Sequence, residues 1–296
     1  LWDTGNWRVN VYAADGAIQP SWSTLSGSGG NVTMSTGRAL MVDTASRIYI
    51  KRRVFSRGGE SPTAWIRYRA NGSPLDTIQL PPFSYSPAQL QAMSASGNAR
   101  STAPVPFWPV PQSAMSPLGY LVTGVPDRYA FEIHSGGTRS VLSVRRNVQP
   151  PAVTSHERDS ARAALTERMG RTQPGWSWNG PDIPKARPFY AGLSVGEDGR
   201  IWLPIIPEAT PAVGSVSSIG GAMGRVGGGP PRPTESRSSG TPRPALFDVF
   251  EADGAYLGQV QIPPRVSTVV RRGDNVWGVE FDEDEVQRVV RYRIVW

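Results

Sequence analysis

The chain has no cysteine, only two histidines, His134 and His156, and only two lysines, Lys51 and Lys185, among its 31 basic residues. Each shortage excludes a chemistry. Without cysteine there is no disulfide framework, no thiolate metal site and no cysteine nucleophile. With two histidines, one within a strand pattern and one at a helix start, a mononuclear site built on two or three of them is not expected, and a Ser-His-Asp triad would have to use His134 or His156. A phosphate-binding GxxxxGK[ST] motif is missing, and the glycines of 220–229 do not follow a strand and open a helix as a dinucleotide site requires. No window approaches the roughly 18 consecutive apolar residues that span a bilayer. A soluble or membrane-extrinsic protein is expected.

What is present points to sheets. The 296 residues are 39% hydrophobic, enough for one large β domain or two ordinary ones. Glycine (32) and proline (28) are high for a helical protein, and 10 tryptophans, 9 tyrosines and 8 phenylalanines suit strands, so the expectation is all-β. The net charge of +7 favours anionic partners.

The most informative feature is a repeat. "YRANGSPLDTIQLPP" (68–82) aligns without a gap on "FEADGAYLGQVQIPP" (250–264): Tyr68 on Phe250, Asn71-Gly72 on Asp253-Gly254, Leu75 on Leu257, Pro81-Pro82 on Pro263-Pro264. A third copy, "RVNVYAADG", places Val11-Tyr12 and Asp15-Gly16 at the same spacing. In each, an apolar strand runs into an Asp-Gly or Asn-Gly pair that accepts the positive φ of a hairpin turn. In the two long copies a second strand follows, and proline, with no N–H to donate, ends the ladder. Repeated hairpins at irregular intervals, with insertions between them, describe radial repetition better than a sandwich.

Three segments interrupt the strands. Residues 83–116 are rich in Pro and Ser and read as an insertion lying over the sheets, with "SPAQLQAM" as a helical turn. Residues 154–170, "TSHERDSARAALTERMG", read as an inserted helix: Thr154 or Ser155 is the N-cap, Glu157 lies in the first turn and Gly170 is the stop. Residues 209–244, rich in Gly, Pro and Arg, have too little aliphatic content to form a core and read as a long flexible loop.

The run "LFDVFEADGAYLGQVQIPP", followed by "DNVWGVEFDEDEVQRVVRYRIVW", resembles the last blade and closing strands of the six-bladed, NHL-like β-propellers that many bacteria export. "DRYAFEIHSGGTRSVLSVRRNVQPPAVTSHERDSARAAL" resembles the same family, inserted helix included, and "EDGRIWL" (197–203) matches its inner-strand signature. The likeness is weakest at 83–116 and 209–244 and departs at the front, where the opening blade is missing. It implies one domain over 1–296, an all-β propeller of about five to six blades, incomplete at the N-terminus, with loop insertions and one short helix. The chain opens in mid-pattern at Leu1, which suggests that processing, truncation or disorder has removed something upstream; a signal segment is not visible.

Candidate sites are few. His156 beside Glu157 and Asp159 fits an exposed helix start better than an acid–base pair, and His134 fits a strand residue satisfied by a neighbour. The run Asp282, Glu283, Asp284, Glu285 lacks the alternating ligand spacing of a calcium loop and fits a solvated hairpin. No catalytic, cofactor or metal residue is assigned. Candidate partner-binding residues are Phe107 and Trp108 in "APVPFWPVP", as aromatic anchors, and Arg225, Arg232, Arg237 and Arg243, as an anion-seeking arm opposed only by Glu235. The basic charge is scattered and no nucleic-acid motif accompanies it, so nucleic acid is not an expected partner.

These features favour a non-catalytic scaffold that docks onto other protein subunits, with contact to an anionic membrane surface. Size, charge and propeller type are similar to the extrinsic periplasmic propeller subunit that helps hold a bacterial type 2 photosynthetic reaction centre inside its light-harvesting ring. That resemblance implies a periplasmic, membrane-extrinsic address. The alternatives are a calcium-dependent lactonase-like hydrolase, for which the inner strands offer little beyond Asp43 and Glu280, and a glycan-binding propeller using its tryptophans.

Overall fold

The computed structural model describes residues 2–3, 6, 8–13, 15–24, 33–54, 63–135, 140–206, 244–282 and 286–296. Its antiparallel sheets are arranged as a β-propeller ring and follow one another in chain order. The first holds β1 (Trp2–Asp3), β2 (Arg8–Tyr12) and β3 (Ile18–Ser23); the second holds β4 (Thr33–Val42), β5 (Ile48–Val54), β6 (Thr63–Tyr68) and β7 (Pro74–Gln79). A hairpin follows, β8 (Gln89–Met93) and β9 (Arg100–Pro104), and then a four-stranded sheet of β10 (Gln112–Met115), β11 (Leu121–Gly124), β12 (Ala130–Ser135) and β13 (Ser140–Arg145). After helix α1 (Ser155–Gly170) come β14 (Ser194–Val195), β15 (Ile201–Ile205), β16 (Ala245–Phe250) and β17 (Tyr256–Ile262), and last β18 (Val266–Arg272), β19 (Asn275–Phe281) and β20 (Gln287–Arg293).

Apolar clusters show which sheets are neighbours. Val9 and Trp22 of the first sheet pack on Ile48, Ile50 and Tyr68 of the second. Tyr49 and Trp65 of the second meet Met115 and Leu121 of the β10–β13 sheet. Val122, Phe131 and Ile133 then meet Ile201, Leu203 and Phe250, and Trp202, Phe247 and Val249 meet Val276 of the last sheet and Ile294 just after it. Each such side chain stabilises its junction by about 1.5–3 kcal/mol when fully buried.

The hairpin β8–β9 stands outside that succession. Its Leu90, Ala92, Ala103 and Val105 pack on Ala161, Leu165 and Met169 of α1 and on Trp176 and Ile183. The result is a satellite built from two separate stretches of chain. "SPAQLQAM", expected to make a helical turn, enters strand β8 instead: Leu90 and Ala92 are buried while Gln89, Gln91 and Met93 are exposed, the period of two that a half-buried strand requires. The 83–116 stretch also reaches past the hairpin and contains β10.

The repeat hairpins share one loop. At 13–17, 43–47, 69–73, 116–120, 196–200 and 251–255 the first residue donates its N–H to the carbonyl of the fifth and accepts from the N–H of the fourth. That is a three-residue loop whose fourth position takes positive φ: Gly16, Gly72, Gly119, Gly199 and Gly254, with Ser46 in the remaining copy. Only the glycine of each pair is left-handed. The preceding Asp15, Asn71, Asp198 and Asp253 accept from the N–H two residues on, at 2.9 to 3.1 Å. At Gly72 a Cβ would also run into the Trp22 ring of the neighbouring sheet.

Helix α1 opens with the expected capping box. Thr154 Oγ1 accepts from the Glu157 N–H at 3.2 Å, and Glu157 accepts from the Thr154 N–H at 2.9 Å. Its end differs from expectation: Gly170 is the last helical residue and Arg171, in right-handed conformation, is the C-cap. No helix of the described residues is long and apolar enough to cross a membrane.

Candidate functional site

The most organised polar cluster lies between the β10–β13 and β14–β17 sheets. It is centred on Asp248, which sits in the middle of β16 and is 4% exposed. One carboxylate oxygen accepts from Arg146 Nη1 at 2.7 Å and from the Tyr129 hydroxyl. The other accepts from Tyr256 Oη and Gln259 Nε2, both at 3.2 Å. Four donors therefore satisfy a carboxylate that would be costly to bury alone. The Arg146 guanidinium lies between two rings, 3.8 Å from the centroid of Tyr256 and 5.2 Å from that of Tyr129.

Local sequence positions each part. Asp248 faces inward because β16 is buried along most of its length. Tyr129 precedes β12 and Arg146 follows β13, so both emerge at one end of that sheet, where Arg146 N–H donates to the Tyr129 carbonyl at 3.0 Å. Burial, reinforced by the bond to Asp248, pushes the Tyr129 phenol far above its ordinary value. Burial alone would lower the Arg146 guanidinium, but Tyr129 and Asp248 outweigh it and raise it. Beside the cluster is a cleft of about 310 Å³ lined also by Val148, Phe189 and Ile205. The arrangement joins two sheets, with four donors converging on one carboxylate.

A second polar network joins the β14–β17 sheet to the last. Arg200 reaches Asp274 at 2.9 Å and Glu251 at 3.1 Å, the Trp296 indole donates to Asp274 at 2.8 Å, and the Gly273 N–H donates to Asp198 at 2.8 Å. Nearby, Arg271 stacks on Trp202 and Phe247, 4.7 and 4.8 Å from their centroids, and donates to Ser194 Oγ at 2.6 Å. Burial pushes its guanidinium down to about 10.

The residues singled out from sequence are scattered among these structures. Phe107 and Trp108 are half-buried against the satellite core, and the Arg187 guanidinium lies 4.9 Å from the Phe107 centroid while pairing with Glu157. Phe107 thus covers an internal ion pair. Arg225, Arg232, Arg237 and Arg243 lie outside the described residues, as do Glu235 and Glu283, Asp284 and Glu285 of the acidic run. Asp43 is spent on its own turn: it accepts from the Ala45 and Arg47 N–H groups at 2.9 and 2.8 Å, from Arg47 Nε at 2.6 Å and from Tyr49 Oη at 2.9 Å. His134 is buried on β12, with Thr123 Oγ1 at 2.8 Å from its Nε2. Among the described residues no three His, Cys, Asp or Glu side chains are grouped to hold a metal ion.

Asp248 was not marked by the sequence reading, although a signal exists. In "LFDVF" one acid interrupts an otherwise apolar strand, and such an acid must find a partner or be neutralised. Its partners could not be named, because Arg146 and Tyr129 lie 102 and 119 residues away in the chain.

Comparison with known proteins adds little to this picture. No family model matches the chain, and no curated protein matches it. Among solved structures, a luciferin-regenerating enzyme aligns at 11% identity and a TM-score of 0.32, covering 97% of this chain and 71% of its own. A DUF4221 family member from Bacteroides vulgatus aligns at 9% and 0.31, covering 98% and 99%, and a glucose dehydrogenase at 11% and 0.30, covering 96% and 80%. Scores this low carry no argument about activity, so the β-propeller assignment rests on the order and packing of the sheets themselves.

Proposed function

We propose that this propeller is a non-catalytic scaffold of the exported, NHL-like type: a periplasmic, membrane-extrinsic protein that docks onto a larger membrane complex and stabilises it. The observation that carries the reading is the internal use of its buried charges. Asp248 and Asp43 each accept four hydrogen bonds from their surroundings, and in both cases the acceptors join turns or sheets. Groups committed in this way make a rigid body, which is what a docking subunit needs. The net charge of +7 supports an anionic partner or membrane surface. The most specific form of the proposal, from size, charge and propeller type, takes the partner to be a photosynthetic reaction centre with its light-harvesting ring.

The test is gentle detergent solubilisation of native membranes, density-gradient separation and mass spectrometry, with a high-salt wash in parallel. Migration with a large membrane complex, loosened by salt, is the expected result. A monomer in the soluble fraction at every salt concentration would remove the scaffold reading and turn attention to hydrolysis or glycan binding.

A further inference from the structure

The chain contains two Asn-Gly pairs, Asn71-Gly72 and Asn179-Gly180, and both asparagines are exposed. Such a pair is open to attack on its own side chain, because a following residue without a Cβ lets its peptide nitrogen approach the amide carbon. The fold treats the two pairs differently. Asn179 Nδ2 donates to the Gln91 carbonyl at 2.7 Å and its Oδ1 accepts from the Gln91 N–H at 3.3 Å, so both ends of the amide are tied to β8. Gly180 is pressed on Leu90, where a Cβ would lie 2.6 Å from Cδ2. Neither residue can turn without opening the satellite.

Asn71 is held at one end only. Its Oδ1 accepts from the Ser73 N–H at 3.0 Å and from Ser73 Oγ at 2.8 Å, and Arg69 Nη1 in turn donates to Ser73 Oγ at 3.1 Å. These donors surround the oxygen on which negative charge gathers when the amide carbon is attacked, as in an oxyanion hole. The leaving end is unencumbered: among the described residues Asn71 Nδ2 has no hydrogen-bond partner. What restrains the nucleophile is the bond from the Gly72 N–H to the Arg69 carbonyl, at 2.9 Å, in an exposed loop.

We propose that Asn71 is a site of spontaneous deamidation, and that isoaspartate at this position is the form that loosens the first sheet from the second. The Gly72 nitrogen loses its proton and bonds to Asn71 Cγ; the bond from Cγ to Nδ2 breaks, and the amide leaves as ammonia. Water then opens the cyclic imide. Where it breaks the new bond, the product is aspartate in an unchanged main chain; where it breaks the original peptide bond, the chain runs on through the side chain as isoaspartate. The first product suits the loop, since Asp15, Asp198 and Asp253 hold the same position in other copies and accept the same N–H two residues on. The second adds a carbon to the main chain between Ala70 and Gly72. There the Trp22 indole donates to the Ala70 carbonyl at 3.1 Å, its ring lies 5.1 Å from that of Tyr68, and Gly72 has no space beside it for even a Cβ. The junction cannot keep these contacts around a longer chain.

The experiment incubates the full chain in mildly alkaline buffer, follows amide loss at both asparagines by peptide mass mapping and detects isoaspartate by enzymatic methylation. A parallel incubation in urea releases both pairs from the fold. In the folded chain Asn71 should react about thirtyfold faster than Asn179, the effect of the two bonds that tie Asn179 to β8, and in urea the two rates should approach one another. Equal rates in the folded chain, or a ratio that urea leaves unchanged, would overturn the selection of Asn71 by the fold. The aspartate form, like Asn71→Asp, should keep the thermal midpoint of the parent chain. The separated isoaspartate form should lose hydrogen-exchange protection in β2, β3, β6 and β7 and keep it in β16 and α1. Unchanged protection in β2 and β3 would show that the junction of the first two sheets does not rest on this loop.

Discussion

The ring and the satellite solve the same problem with different materials. A strand at the edge of a sheet leaves N–H and C=O groups that must find partners. In the β14–β17 sheet the next strand supplies them, and the junction to the neighbouring sheet is locked by the Asp248 cluster. In the satellite, β8 pairs with no strand but β9 among the described residues, and side chains from the stretch after α1 stand in for a further one. Asn179 Nδ2 and Trp176 Nε1 both donate to the Gln91 carbonyl at 2.7 Å, the Gln91 N–H donates to Asn179 Oδ1 at 3.3 Å and the Met93 N–H to Gln173 Oε1 at 3.0 Å. The lesson is that the edge of a sheet can be finished by side chains as well as by a further strand.

The comparison can be broken most severely at Asp248. Replacing it with Ala leaves the half-buried Arg146 guanidinium and the buried Tyr129 hydroxyl without their carboxylate, and the loss of these two charge-assisted hydrogen bonds together destabilises by about 3–5 kcal/mol. Urea denaturation at neutral pH should show that loss, with hydrogen exchange accelerated in β12, β13, β16 and β17. A change below about 1 kcal/mol, the range of an exposed pair, would mean that the cluster does not join the sheets.

The next largest effect belongs to the satellite. Trp176→Ala removes a buried ring and one donor to β8, for a loss of about 3–5 kcal/mol. The satellite has its own core, so exchange should quicken in β8, β9 and α1 while β12 and β16 keep their protection. Uniform acceleration across both would show that ring and satellite unfold as one unit. Asn179→Ala takes away two edge bonds at Gln91 and little packing, and about 1–2 kcal/mol is expected, again confined to the hairpin.

How much of this was legible in the residues depends on distance along the chain. The hairpin turns could be read directly, because Asp-Gly and Asn-Gly carry their geometry within four residues. The capping box of α1 was equally local. Packing across sheets was not: nothing in "NG" at 71–72 reveals that the glycine also makes room for Trp22, and nothing in "FW" at 107–108 says that Phe107 will cover Arg187. β8 was misread because five residues between Pro- and Ser-rich flanks carry only two inward positions, Leu90 and Ala92, too few to distinguish a strand from a turn. The satellite draws on 83–108 and 155–183 together, and no local pattern links those stretches.

The smallest predicted effect separates the two regions by pH. His134 lies in the ring, and burial holds its imidazole below the usual range despite the opposing influence of Glu132. The folded ring therefore prefers the neutral form. As pH falls from about 6.5, the unfolded chain takes up a proton that the folded ring resists, and stability declines until the folded group itself titrates. In the satellite Glu157 works in a lower window. Burial would raise its carboxyl, but the Thr154 N–H and hydroxyl and Arg187 together lower it, so its contribution is complete above about 4.5 and is lost only as pH falls through the depressed value. Between pH 6.5 and 5, protection against hydrogen exchange, taken relative to the intrinsic rate at each pH, should fall in β11 and β12 and remain steady in α1, and His134→Gln should flatten the response of the ring. An equal loss of protection in α1 over that interval would show that the protonation of the ring is felt in the satellite, and the two regions would have to be treated as a single cooperative unit.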